Sequence, residues 1–153
     1  MITLTRTNSN NRDFIFLTKQ LNEFLSVIDG DQHSFLQQFN NIDDIQQVVI
    51  AYENNIPLGC GAIKQFNDTS MEIKRMFTDK NSRKKGFATK ILKELENWTQ
   101  ELGFKSCILE TSIKQPEAIA FYKKNLYEQI PNYGQYIGIE NSVCFKKSLV
   151  INP

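Results

Sequence analysis

The stretch from Met71 to Leu102 constrains this chain most, because a strand-like pattern gives way there to a helical one across a short basic loop. Phe87, Ile91, Leu95, Trp98 and Leu102 recur three or four residues apart, while Lys90, Lys93, Glu94 and Asn97 fill the other faces. That spacing predicts an amphipathic helix with one stripe to bury. Gly103 is suited to closing it. Upstream, Met71 to Thr78 reads as a strand, with Met71, Ile73 and Arg75 on one face and Glu72, Lys74 and Met76 on the other. A strand that feeds such a helix through a tight loop belongs to a sheet covered by helices.

The remaining segments extend this pattern. Ile2 to Arg6 is a strand candidate, and the polar cluster Asn8 to Asn11 can cap a helix whose apolar face holds Phe14, Leu17, Leu21, Phe24, Leu25 and Ile28. Asp29-Gly30-Asp31 ends that helix and can start another through Phe35, Leu36 and Phe39. Val48 to Tyr52 and Leu58 to Ile63 read as strands joined at Asn54-Asn55. The small residues Gly59, Cys60, Gly61 and Ala62 allow close backbone approach there. Cys107 to Leu109 is a short strand. Gln115-Pro116-Glu117 opens a helix carrying Ala118, Phe121 and Tyr122 that should end near Asn125, and Ile137 to Phe145 offers a final strand region. Early hairpins and later βαβ connections imply an α/β fold with a mixed sheet covered by helices. With no repeat, low-complexity tract or linker, residues 1–153 read as a single domain.

Composition narrows the function classes. A formal net charge of +1 argues against a dedicated nucleic-acid binder. The N-terminus lacks the pattern of a signal peptide, and no window approaches the ~18 apolar residues that cross a membrane. A cytoplasmic location is the resulting expectation. Cys60, Cys107 and Cys144 are far apart and lie in apolar, strand-like stretches, as buried reduced thiols do. No cluster has metal-ligand spacing, so no metal is expected. His33 reads as a partly exposed helix residue, with contact to a substrate as the other reading.

The chemistry concentrates at Arg83-Lys84-Lys85-Gly86-Phe87-Ala88-Thr89. Helix-start amides have no internal partners and sit at the positive end of the helix dipole. A pyrophosphate can accept from them, with Gly86 and Ala88 keeping the approach open and three basic side chains adding charge. The loop is neither a Walker A sequence nor G-x-G-x-x-G. Taken alone, it reads as a phosphate site or as a solvated basic helix start.

The pattern R-x-x-G-x-A between a strand and an amphipathic helix resembles the acyl-CoA pyrophosphate loop of the GNAT superfamily. Ala118 to Tyr127, with Phe121-Tyr122, resembles that family's late helix, commonly A-x-x-F-Y-x-x-x-G-F/Y. Two departures stand out: Gln115 lies near the family's opening Asn, and Leu126 stands where it has glycine, so that Asn125 is expected to take the left-handed helix end. The resemblance implies a mixed, mainly antiparallel sheet with a splayed parallel pair and helices on both faces. It implies that backbone groups of Met76, Phe77 and Thr78 bind pantetheine, that amides of Lys84, Lys85, Gly86, Phe87 and Ala88 hold the pyrophosphate beside Arg83, and that Thr89 adds a hydroxyl.

It further implies an acetyl-CoA-dependent N-acetyltransferase acting on a primary amine of a small molecule. A sheet edge near the final strand could pair two copies, so a monomer or a homodimer is expected. A peptide or protein acceptor and a non-catalytic acyl-CoA-binding module are the alternatives. Glu72 resembles the catalytic glutamate of some members, and Tyr122 the tyrosine near the CoA sulfur. A strand carboxylate and a packed core tyrosine are the plainer readings of the two. Glu110 ends the strand facing the splay, where it suits a cationic amine or a solvent-facing strand end equally. Tyr133 and Tyr136 fall in a loop where the family often builds its acceptor wall, and their rings suit a cationic ligand or plain loop packing equally.

Overall fold

Four antiparallel strands build the first half of the sheet. β1 (Ile2–Thr7), β2 (Gln47–Glu53), β3 (Ile56–Gln65) and β4 (Ser70–Thr78) run antiparallel in sequence order. Asn54 and Asn55 both take positive φ, 53° and 66°, as a two-residue hairpin turn demands. Between β1 and β2 lies α1 (Arg12–Asp29). The Asn11 side chain starts it by accepting from the amides of Asp13 and Phe14 at 2.8 and 3.2 Å. The computed structural model describes residues 1–29 and 45–149. His33 and the expected helix through Phe35, Leu36 and Phe39 lie outside the described residues.

After β4 the chain enters α2 (Phe87–Glu101) and returns as β5 (Ser106–Ser112), parallel to β4. Then follow α3 (Pro116–Lys124), β6 (Glu128–Ile130) and β7 (Ser142–Ser148). Among the described residues the sheet order is β1-β2-β3-β4-β5-β7-β6, with β4–β5 the one parallel pair. This is the expected mixed, mainly antiparallel sheet with helices on both faces.

Alternation along β2 divides two cores. Val49 and Ala51 pack with Phe87, Ile91, Leu92 and Leu95 under α2, while Val48 and Ile50 pack with Phe14 and Leu17 under α1. Burying both faces is why β2 is apolar throughout rather than alternating.

Several sequence expectations need correction. The final strand begins at Ser142 rather than Ile137, because Gly134–Tyr136 forms a 3-10 turn and Gly138 takes φ 81°. The sheet edge expected near the final strand is the three-residue β6 beside it. Leu102 falls just past α2 and is 43% exposed. The residue after α3 in left-handed conformation is Leu126 (φ 73°), while Asn125 stays at φ −92° and donates its side-chain amide to Phe121 O at 2.8 Å.

Candidate active site

The parallel pair opens into a cleft. Ser70, Met71 and Glu72 pair with Ser106, Cys107 and Ile108, and the ladder stops there. The Ser70 and Ser106 hydroxyls share a 2.6 Å hydrogen bond at the closed end. Beyond it, β4 follows β3 as far as Thr78, while β5 follows β7 as far as Ser112. The β5-facing edge of β4 through Met76, Phe77 and Thr78 therefore has no strand partner, and an extended ligand with amides can complete it.

A bulge separates the strands. Cys60 pairs with Phe77 but Ala62 with Lys74, so β4 carries one extra residue. Arg75 takes it up at φ 60°. Such a bulge increases the local twist and turns the end of β4 away from β5. It also resets the alternation, which corrects the expected faces. Met76 reaches over Gly61 toward Ile91 and Leu95, joining Met71 and Ile73 under α2. Arg75 turns to the other face and donates from Nη1 to Asn22 Oδ1 of α1 at 3.1 Å.

At the open end lies the basic loop. Lys84 and Gly86 both take left-handed φ, 68° and 87°, and Gly86 is the residue before α2. Turns of this kind gather backbone N–H groups into an anion-binding concavity. The first helical bond runs from Lys90 N–H to Gly86 O, leaving the amides of Phe87, Ala88 and Thr89 without helical acceptors. No atom lies within 4 Å of where a Gly86 Cβ would stand, so conformation rather than crowding calls for glycine there. Arg83, Lys84 and Lys85 are exposed, and the Arg83 guanidinium lies 5.0 Å from the Phe24 ring centroid.

Between these ends the cleft has a volume of about 820 Å³, including its open mouth. Glu72, Glu110, Tyr122 and Tyr136 all line it. Glu72 is 7% exposed and accepts a 2.5 Å hydrogen bond from the Tyr133 hydroxyl, with Lys74 Nζ 3.6 Å from its other oxygen. Burial and the Glu72 carboxylate push the Tyr133 hydroxyl far up, so it remains a donor. Burial, partly offset by Glu72, lowers the Lys74 ammonium below the usual lysine range. Glu110 accepts from Ser142 Oγ at 2.7 Å. Tyr122 packs its ring edge-on to Phe121 and Tyr127, and burial with Glu110 nearby raises its hydroxyl well above the ordinary phenol. Among the described residues that hydroxyl has no hydrogen-bond partner.

Sequence reasoning missed the pairing of Tyr133 with Glu72, which joins residues 61 positions apart and leaves no local signal. It also missed Arg75 as a cleft residue, because the bulge breaks the alternation. Among the described residues no group of three or more potential ligands could hold a metal, and no helix is long and apolar enough to cross a membrane.

Residues 14–126 match the model of the acetyltransferase (GNAT) family. An IAA acetyltransferase of Azospirillum brasilense is 24% identical over 143 residues, spanning 88% of this chain and 90% of that protein. A Klebsiella pneumoniae structure, solved as an acyl-CoA N-acyltransferase, matches with a TM-score of 0.82 at 26% identity, over 98% of this chain and 99% of the other. A GNAT acetyltransferase from Elizabethkingia anophelis with acetyl-CoA bound shares the fold at a TM-score of 0.68 and 15% identity, over 97% and 98% of the two chains. A family model that runs from α1 to the end of α3, over a sheet that opens at its parallel pair, places this protein in the GNAT family of acetyltransferases, as an acyltransferase.

Proposed function

We propose that this protein, as a single domain, transfers the acetyl group of acetyl-CoA to a primary amine of a small molecule. The β4–β5 opening carries this reading. It combines an unpartnered strand edge, helix-start amides at one end, and a carboxylate and a phenol inside one cleft. The edge from Met76 to Thr78 takes the pantetheine amides, and the amides from Lys84 to Ala88 take the pyrophosphate. Arg83 adds charge and the exposed Thr89 a hydroxyl.

Acetyl-CoA supplies the electrophilic thioester. Glu72 takes a proton from the acceptor's ammonium, directly or through water, and so frees the nitrogen lone pair. A carboxylate offers about four acceptor positions, so the Tyr133 hydrogen bond orients Glu72 without saturating it. The nitrogen–carbonyl bond forms as the carbon–sulfur bond breaks, the departing thiolate takes the phenolic proton of Tyr122, and the second proton shed by the acetylated nitrogen restores the Tyr122 phenol. Burial keeps that proton in place until it is needed. Glu110, Tyr133 and Tyr136 face the incoming cation with a carboxylate and aromatic rings.

Release of CoA thiol from acetyl-CoA against a panel of amines, polyamines, amino acids and peptides tests this. Amine-dependent release should fall about 10²- to 10⁴-fold in Glu72→Gln. Tyr122→Phe should slow turnover while leaving CoA binding intact. A Glu72→Gln rate unchanged across pH removes Glu72 as base, and a Tyr122→Phe turnover equal to wild type removes Tyr122 as acid. Tight acetyl-CoA binding with no release over the whole panel refutes amine acetylation.

A further inference from the structure

We propose that Arg75 forms an anion subsite in the acceptor half of the cleft, so that the preferred acceptor is an amine that also carries a carboxylate, as an amino acid does. This rests on the cleft being the acceptor site.

The argument begins with an incomplete guanidinium. Arg75 is 7% exposed and lines the cleft, yet among the described residues its only side-chain hydrogen bond is the 3.1 Å contact with Asn22. Its Nε is buried and has no hydrogen-bond partner among the described residues. No carboxylate pairs with it among the described residues. The nearest groups do not supply the missing charge. Cys60, whose thiol bonds the Arg75 carbonyl at 3.4 Å, is itself pushed up to about 12 by burial and stays neutral. Lys74, the neighbouring cation, only adds repulsion. Burial accordingly drags the guanidinium down to about 10.

An unpaired buried charge is strongly unfavourable and is ordinarily matched by a partner. Here the cleft carboxylates are engaged elsewhere, Glu72 with Tyr133 and Lys74, and Glu110 with Ser142. A carboxylate bound from the cleft supplies the acceptor that Nε lacks, and the guanidinium fork matches it in two-point fashion. The pantetheine arm cannot serve this purpose, since it is uncharged. The CoA phosphates belong at the loop after β4, whereas Arg75 turns toward α1. With Glu72 and Glu110 drawing the ammonium and Arg75 the carboxylate, the cleft is complementary to a zwitterion.

The test compares each of the twenty amino acids with its carboxamide, and with phosphoethanolamine as a phosphate-bearing amine. Binding is measured by calorimetry on the protein with CoA bound, and turnover by thiol release. Free acids should bind about 10- to 100-fold more tightly than their amides, the range of one charge-assisted contact. Arg75→Gln should abolish that ratio, and Arg75→Lys should restore part of it. Thermal melts of each variant establish that it is folded. Equal binding of acids and amides across the panel overturns the proposal. So does a ratio that survives Arg75→Gln, or a preference for phosphoethanolamine over every amino acid. Acid-selective, Arg75-dependent binding with no thiol release upholds the subsite and refutes acetyl transfer to such amines. Thiol release without acid selectivity does the reverse.

Discussion

Gly61→Ala offers a sign test of the packing that supports the cofactor loop. In the interior of a strand, alanine is ordinarily favoured over glycine by about 0.5–1 kcal/mol. At this position a Cβ would lie 2.5 Å from Met76 Sδ and 2.9 Å from both Ile91 Cγ2 and Leu95 Cδ1. All three atoms end flexible side chains, but Ile91 and Leu95 are fully buried on α2 and have little room to move. Overpacking of this kind costs about 1–3 kcal/mol. The net loss is therefore roughly 0.5–2 kcal/mol, which for a chain of this length lowers Tm by roughly 1–8 °C. The assay is thermal unfolding of wild type, Gly61→Ala, Met76→Ala and the double variant. Met76→Ala removes the closest neighbour, so the double variant should recover at least about 0.5 kcal/mol relative to the sum of the singles. CoA affinity should fall together with stability, because α2 carries the amides of Phe87 to Thr89 and is the element that must shift. A Gly61→Ala melting at or above wild type would refute the close approach of β3 and α2.

Other consequences are checked more simply. Glu96, 5% exposed, accepts from Tyr127 at 2.9 Å and Lys147 at 3.0 Å. Glu96→Ala strands both donors and should cost about 3–5 kcal/mol in chemical denaturation; a loss under 1 kcal/mol would contradict a buried pair. Alkaline pH should destabilise the protein under reducing conditions. Burial holds Cys60 at about 12 and Cys107 and Cys144 at about 11, against 9.0 for a free thiol. These thiols stay protonated in the fold while the unfolded chain ionises, so their contribution is complete below pH 9 and is lost as pH rises through the folded values. Each adds a slope of up to about 1.4 kcal/mol per pH unit, opposed in part by the lowered Lys74 and Arg75. Cys60→Ala should flatten the Tm curve above pH 9, and an unchanged slope would show that its thiol does not contribute.

What the sequence disclosed follows from how local each signal is. The helix from Phe87 and the turn at Asn54-Asn55 rest on neighbours in the chain, and both stand where their spacing placed them. The parallel register of Ser70–Glu72 with Ser106–Ile108, and its abrupt end, depend on residues more than thirty positions apart. Only the family resemblance anticipated that opening. The late loop was harder still. Asn132 ties it together by donating to the carbonyls of Tyr136, Ile139 and Ser142, and this delays β7 beyond the apolar run that suggested a strand.

The bulge at Arg75 is the most instructive departure, since a single inserted residue accounts for several features together. A period of two assigns Arg75 to the face of Met71 and Ile73, where a guanidinium would lie beneath α2 in a wholly apolar layer. The left-handed step at φ 60° gives that place to Met76 and sends Arg75 to the side of Asn22. The same step adds the twist that parts β4 from β5. Non-glycine residues bear a cost of about 1–2 kcal/mol in that conformation. Arg75→Gly should therefore relieve backbone strain as it removes the buried charge, and thermal melting should show it less destabilised than Arg75→Ala. If the alanine variant proves the more stable of the two, the bulge holds little strain, and the opening of the cleft must come from the packing of the strands on either side.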